Sequence, residues 1–234
     1  KRKFIIMLTL GGVIFFGTSC TKEKEVEKIV TVIQNPNDTL KPPSIAGAIN
    51  STNNTWAFDK THSNVNWETE YYGDHAFLTG KFNNFKVDIV FDSQDPTNTK
   101  IDAWVQLSTF NTGEPGRDGP GKCGPGYVGV KYTDTNNTVD PATDTAWFTS
   151  TSSKIEYDYY VATGTFTFNG VSKTVDMKYK FTGLTEVTNQ FGTSDKGGFK
   201  GEFMFLALSD FGITSTSIAD EMYVTVNANY SKSK

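Results

Sequence analysis

Alternation of apolar and polar residues runs through most of the chain after Trp56, and it constrains the fold more than any other feature. In the segment FKVDIVF, for example, Phe85 and Val87 flank Lys86. Successive side chains of a β-strand point to opposite faces of a sheet, so such a segment buries one face and exposes the other. A helix would instead need apolar residues three or four positions apart, and that spacing is almost absent here.

The segment around Asn169–Gly170 carries the clearest hairpin signal. Phe166 and Phe168 precede it on one face of a strand, and Met177 and Tyr179 alternate with charged residues after it. An Asn-Gly pair between two alternating segments is typical of a two-residue β-turn. About eight such segments follow one another, joined mostly by short turns. The chain is therefore predicted to be all-β, with eight antiparallel strands in a sandwich or an up-and-down barrel.

Large apolar side chains on one face of these strands are predicted to form the interior. An eight-stranded barrel is either filled by its own side chains or holds one small ligand, and alternation does not separate these two cases. The residues predicted to pack in a core or to line a cavity are Trp67, Phe85, Phe166, Phe168, Met177, Tyr179, Phe203 and Phe205.

The N-terminal residues form a separate region. KRK is followed by an apolar run, Phe4–Phe16, and then by small residues before Cys20. This order is typical of an export signal, and the run is too short for a membrane-spanning helix, which needs about 20 apolar residues. It resembles the lipobox of bacterial lipoproteins, whose signal is cut before a cysteine that then carries acyl chains. Residues 1–19 are therefore predicted to be a signal peptide, and Cys20 the lipidation site.

The mature chain is predicted to consist of a tether and one domain. Residues 20–55 are charged and then rich in Pro, Asn, Ser and Thr, which favours a flexible linker, and residues 56–234 carry the barrel. Loss of the signal peptide changes the formal net charge from -4 to about -7, so nucleic acid is not an expected partner. The expected location is a bacterial membrane, most simply the outer membrane, at its periplasmic face or at the cell surface.

A long insertion interrupts the alternation. Residues 111–145 are rich in Gly, Pro and Asn, and loops of this length in a compact domain are usually functional or disordered. The insertion contains Cys123, the one cysteine left if Cys20 is acylated, so no internal disulfide is expected. Three roles stay open for its thiol: a buried loop residue, a redox or intermolecular-bridge site, or a ligand contact.

Both histidines of the chain, His62 and His75, lie near the start of the alternating region. Ser63 follows His62, but neighbouring strand residues point to opposite faces, so the two side chains are not expected to form a nucleophile–base pair. Two histidines at this spacing are also weak evidence for a metal site. No catalytic residue and no metal ligand is predicted. The histidines are expected to fix one end of the barrel by hydrogen bonds or to contact a ligand head group.

Four segments, in this order, resemble the YceI-like family of exported lipid-binding proteins. They are Asp59–Trp67 with His62, Ser63 and Val65, then Gly80–Asp92, Gly164–Val175 and Leu208–Ile213. The resemblance covers Trp56 to about Tyr230, nearly the whole mature domain. The chain departs from the usual pattern at Leu208, where the family often has Arg, and at residues 111–145, where it usually has a short helix.

The resemblance implies an eight-stranded antiparallel lipocalin-like barrel with an apolar lumen that binds long apolar chains, typified by polyisoprenoids. His62 and His75 would then lie at its opening. It implies no enzymatic activity and no cofactor other than a bound isoprenoid lipid or quinone. The expected partners are this lipid, the membrane and, in a homodimer, a second copy of the chain. The alternative is a non-catalytic interaction or stress-response module with a packed lumen.

Replacing Cys20 tests the predicted anchor. Without its thiol the chain cannot be acylated, so Cys20→Ser should move the protein from the membrane fraction to the soluble fraction after cell lysis. Cys123→Ser is the matched control and should leave the distribution unchanged. Membrane association of Cys20→Ser equal to that of the wild type would contradict acylation.

Overall fold

The alternating segments identified from the sequence fold into antiparallel β-strands. The computed structural model describes residues 45–73 and 76–234, and the statements below refer to these residues. Its strands are β1 Ala48–Asn50, β2 Ala57–Phe58, β3 Asn64–Tyr71, β4 Phe77–Phe82, β5 Phe85–Asp92, β6 Lys100–Gln106, β7 Phe110–Asn111, β8 Thr145–Glu156, β9 Tyr159–Phe168, β10 Val171–Asn189, β11 Gly192–Leu206 and β12 Ile218–Ser233. The helices are three 3₁₀ turns, Lys60–His62, Pro96–Asn98 and Leu107–Thr109, and one short helix, α1 Cys123–Tyr127.

One antiparallel sheet contains all twelve of these strands. Its order is β1-β5-β6-β8-β9-β10-β11-β12-β3-β4-β7, with β2 paired to β12. The all-β prediction is confirmed, whereas the strand count exceeds the expected eight. The difference comes mainly from β1, β2 and β7, which have only two or three residues and therefore show no alternation. Pairing between the described strands leaves the sheet with two ends, β1 and β7.

The predicted hairpin at Asn169–Gly170 is confirmed. Phe168 pairs with Val171, so these two residues form the turn between β9 and β10. Asn169 has φ 50° and Gly170 has φ 75°. Positive φ at both central residues is what a type I′ turn requires, and its twist matches that of the flanking strands.

The inward face of the sheet packs into two groups of aromatic side chains. In the first, Phe91 lies 5.0–5.3 Å from the rings of its nearest neighbours. In the second, Phe166 lies 4.9–5.4 Å from three other rings. The Phe91 cluster contains Phe91, Tyr160, Tyr179, Phe181 and Phe199. The Phe166 cluster contains Phe166, Phe168, Phe203, Phe205 and Phe211. These spacings are those of favourable aromatic pairs.

The folded domain begins before Trp56, inside the segment predicted to be linker. Ala48 pairs with Asp92, which makes β1 a short edge strand beside β5. Ile49 is 0% exposed and its side chain lies against Gly197. Residues 46–50 contain one large apolar side chain, Ile49, among small and polar residues, which is too short a pattern to indicate a strand. The earlier part of the predicted tether lies outside the described residues.

The glycine-rich insertion is folded onto one end of the sheet. Asp118 accepts hydrogen bonds from the backbone and hydroxyl of Thr112, which closes its first turn. Val128 and Val130 are buried in the core. Cys123 is exposed at the start of α1, so the reading of Cys123 as a buried loop residue is wrong. The next two residues, Gly124 and Pro125, are the buried ones in this helix.

Three sequence predictions fall outside the described residues. Residues 1–19, the proposed signal peptide, and Cys20, the proposed lipidation site, belong to the undescribed N-terminal part. His75 is the third. In the part of the chain that is described, no helix combines the length and apolar character needed to cross a membrane.

Truncating Ile49 tests whether β1 belongs to the folded domain. Because this side chain is fully buried, Ile49→Ala should lower the free energy of unfolding by about 2–5 kcal/mol, measured by urea denaturation. Ile45→Ala removes the same atoms from a side chain that is 45% exposed and should cost only about 0.5 kcal/mol. Equal, small effects of both substitutions would show that β1 does not contribute to the core.

Candidate ligand-binding cavity

An apolar cavity lies inside the curved sheet. Its volume is about 90 Å³, and members of both aromatic clusters line it. Lys86 is the single charged residue among its lining residues. The apolar wall includes Val65, Trp67, Phe82, Val87, Ile89, Leu107, Val128, Phe148, Phe166, Phe168, Met177, Phe199, Phe203, Phe205, Met222 and Val224. A wall of this kind can hold an apolar molecule by burial alone and offers little to a charged one.

Seven of the predicted interior residues line this cavity. They are Trp67, Phe166, Phe168, Met177, Tyr179, Phe203 and Phe205. Phe85 is buried but lies outside the lining, because its ring packs edge-on against Phe58 at 5.9 Å. Lys60 Nζ lies 6.0 Å from the same ring centroid. Alternation predicts on which face of a strand a side chain lies, but not how far along the barrel axis it lies. Phe85 is on the inner face but lies beyond the end of the cavity.

Sequence reasoning missed several lining residues. Ala146 and Phe148 alternate with the exposed Trp147 in β8, so the same period-2 signal could have found them. Val128 comes from the glycine-rich insertion, where no periodicity exists. Leu107 begins a 3₁₀ turn just after β6, where strand alternation ends.

Two tyrosine hydroxyls at the cavity wall already have hydrogen-bond partners. Tyr230 Oη donates to the backbone oxygen of Val87 at 2.9 Å, and Tyr179 Oη lies 2.9 Å from Ser153 Oγ. Burial raises the pKa of Tyr230 and of Tyr179 above the ordinary value of 10.0. Both side chains therefore stay neutral at physiological pH, and their polar atoms are committed to the protein.

The indole of Trp67 has no such partner. The side chain is 2% exposed, and its Nε1 is buried without a hydrogen-bond acceptor. Phe110 stacks on the ring at 4.8 Å. Gly80 lies opposite Trp67 in β4, and a Cβ there would come within 2.6 Å of Trp67 Cζ2. The glycine therefore provides the space in which the indole lies flat between β4 and Phe110.

His62 lies outside the cavity, in a position that the sequence did not predict. It ends the 3₁₀ turn Lys60–His62, and β3 begins only at Asn64. Its Nδ1 lies 2.8 Å from Asp59 Oδ2, and its side chain is 73% exposed. Ser63 Oγ donates to the backbone oxygen of Asp59 and accepts from the backbone N–H of Asn229.

The serine and histidine therefore bond to other groups and not to each other. The expectation that strand alternation separates them is wrong in its cause, because a 3₁₀ turn separates them instead. His62 fixes the turn before β3 through its hydrogen bond with Asp59, and its predicted contact with a ligand head group stays a prediction. Among the described residues, no three His, Cys, Asp or Glu side chains form a group that could hold a metal ion.

Comparison with known proteins identifies the family. Residues 56–230 match the model of the YceI-like domain. The chain belongs to the YceI-like family. YceI-like proteins are exported, are generally not enzymes and have no known cofactor, and an apolar lumen fits their binding of apolar lipids.

Curated relatives agree with this assignment, and a solved structure shares the fold. The YceI proteins of Salmonella arizonae and Salmonella paratyphi B are each 29% identical over 154 residues, which is 66% of this chain and 72% of theirs. The crystal structure of Burkholderia cenocepacia BcnA aligns with a TM-score of 0.53 at 18% identity, covering 74% of this chain and 98% of BcnA. A Campylobacter jejuni YceI protein aligns with a TM-score of 0.48 at 18% identity, over 67% and 86%. BcnA therefore supports the shared fold of this YceI-like domain.

Proposed function

We propose that this YceI-like protein binds or carries a lipid with an isoprenoid chain, which enters the cavity between the two aromatic clusters. The observation that carries the proposal is the wall of that cavity, which is built mainly from large apolar side chains of the nine longer strands, with Leu107 from a 3₁₀ turn and Val128 from the insertion. Its polar atoms are few, and those of Tyr179 and Tyr230 are satisfied within the protein. Affinity would therefore come from buried hydrocarbon.

Burial of hydrocarbon alone is sufficient for useful affinity. Each buried methylene contributes about 0.8 kcal/mol, so about ten carbons contribute ~8 kcal/mol before ordering costs. On a 1 M scale that corresponds to a dissociation constant of roughly 1 μM, which the ordering costs weaken. A methyl-branched chain also presents an irregular surface, and such a surface packs against aromatic rings without any directional bond.

The interior must widen to accept such a chain. A volume of about 90 Å³ is smaller than the roughly 150 Å³ of the engineered apolar cavity that takes up benzene. Met177 and Met222 belong to the wall, and unbranched thioether side chains change rotamer at low cost. The same small volume is the one observation that favours the alternative function, an interaction module with a packed interior.

A lipid carrier at a membrane also accounts for the N-terminal region. Acylated Cys20 would hold the protein at the bacterial outer membrane, at its periplasmic face or at the cell surface, and the linker would let the barrel reach the bilayer. Two or more acyl chains give stable attachment, whereas one chain gives only marginal binding.

Native mass spectrometry tests the proposed function. Protein purified from its host membrane should carry a lipid of discrete mass, and delipidated protein should take up a menaquinone or a polyprenol added in detergent. Delipidated protein that stays folded by circular dichroism but binds neither probe would overturn the carrier function and favour the packed module.

A larger side chain at position 201 would occupy part of the cavity, and its effect on lipid uptake tests whether the cavity is a ligand site or only part of a packed core. Gly201 lines the cavity, and a Cβ there would lie 3.3 Å from Met177 Sδ and 3.8 Å from the backbone oxygen of Lys178. The first contact is tight, but the flexible thioether side chain can move to relieve it. Gly201→Leu should displace at least two ligand methylenes and weaken lipid uptake by roughly tenfold or more. Gly201→Ala should cause a smaller loss, and the thermal midpoint of each variant reports folding.

Lys200→Leu is the matched control, because this neighbouring side chain is exposed on the opposite face of β11. It should leave uptake unchanged. Equal uptake by Gly201→Leu and the wild type would contradict a ligand in this cavity.

A further inference from the structure

The buried indole N–H of Trp67 has no role in the fold described so far. Its ring lines the cavity, and its Nε1 is one of three buried side-chain polar atoms without a partner in the described residues. The other two, Tyr132 Oη and Asn169 Oδ1, belong to residues outside the cavity lining. Among the described residues that line the cavity, Trp67 is therefore the one that carries an unsatisfied hydrogen-bond donor, and its side chain also borders a surface groove beside Gly80 and Asn111.

The position of this donor is fixed by its neighbours. Phe110 stacks on one side of the indole at 4.8 Å with an interplanar angle of 26°. The backbone of Gly80 lies so close on β4 that no Cβ fits there. The ring therefore cannot rotate to bring Nε1 to another protein acceptor without losing both contacts. A fixed donor of this kind is pre-organised for an acceptor that arrives with a ligand.

Burying a donor without an acceptor costs free energy, whereas pairing it recovers that loss. When the interior widens for a chain, the ligand atoms that come to lie beside Trp67 become its new neighbours. A pure hydrocarbon leaves the N–H unsatisfied. A chain with a carbonyl or ether oxygen at the matching position satisfies it.

We propose that Trp67 Nε1 donates a hydrogen bond to an acceptor oxygen of the bound lipid, so that the cavity selects oxygen-bearing apolar chains over hydrocarbons of the same length. This inference rests on the proposed lipid-binding function and adds the chemical class of the ligand. The tyrosine hydroxyls do not supply this selection, because Ser153 and the Val87 backbone already hold them.

Binding of matched probes to delipidated protein tests the proposal. The probes are straight-chain ketones of one length that carry the carbonyl at successive positions, together with the alkane of that length. The quantity compared is the affinity for a ketone divided by the affinity for the alkane. For at least one ketone, this ratio should be about fivefold higher in the wild type than in Trp67→Phe, which is the factor that one ordinary hydrogen bond contributes. Taking the ratio within each protein cancels the difference in hydration between ketone and alkane.

Trp56→Phe is the matched control, since Trp56 is also buried but lies outside the cavity lining. It should keep the wild-type ratio at every carbonyl position. In ¹⁵N-labelled protein, the Trp67 indole resonance should shift downfield with the preferred ketone and much less with the alkane. The structural readout is the thermal midpoint, which Trp67→Phe should not lower greatly because the aromatic contact with Phe110 is kept.

The outcomes separate the acceptor site from lipid binding itself. Ketone-to-alkane ratios that are the same in the wild type and in Trp67→Phe, for every isomer, overturn the acceptor site while lipid binding stands. Failure of folded wild-type protein to bind the alkane and the ketones while it still takes up menaquinone or polyprenol overturns the acceptor site alone. Failure to bind any of these probes overturns the proposed function and, with it, the acceptor site.

Discussion

Burial of one continuous apolar face is the constraint on which the whole structure depends. The long strands share an apolar side over the part of the sheet that forms the core, and a single sheet can cover that side only by curving around it. The hydrogen-bonded pairing of the described strands leaves the sheet with two ends, β1 and β7. Residues outside the long strands therefore help to cover the core. Ile49 covers one part of the core, and Val128 in the insertion covers another. The segments that look irregular in the sequence are thus the ones that close the core.

Period-2 alternation made most of the fold predictable and part of the site as well. It places Phe166, Met177 and Phe203 on the inner face, and all three line the cavity. It does not fix depth, so Phe85 was assigned to the lining although it packs against Phe58. It also gives no signal for contributors that occur singly, such as Ile49, or in loops.

The start of β3 shows a different limit of sequence reasoning. Asp59 accepts hydrogen bonds from the backbone N–H and the ring of His62, and these local bonds favour a 3₁₀ turn where alternation predicts strand. Side-chain capping of this kind competes with strand formation over only a few residues. Those residues contain both His62 and Ser63, so the structure corrects the geometry of the one pair that had suggested catalysis.

For the proposed lipid ligand, the small cavity makes binding and opening a single event. Opening separates aromatic pairs whose contacts contribute about 0.5–1.5 kcal/mol each, and several such pairs surround Phe166. Each ligand methylene returns about 0.8 kcal/mol. A short apolar molecule therefore recovers less than the opening costs, whereas a long chain exceeds it with every added carbon. Selection for length follows from the packing of the wall, and Trp67 Nε1 adds selection for an oxygen atom to it.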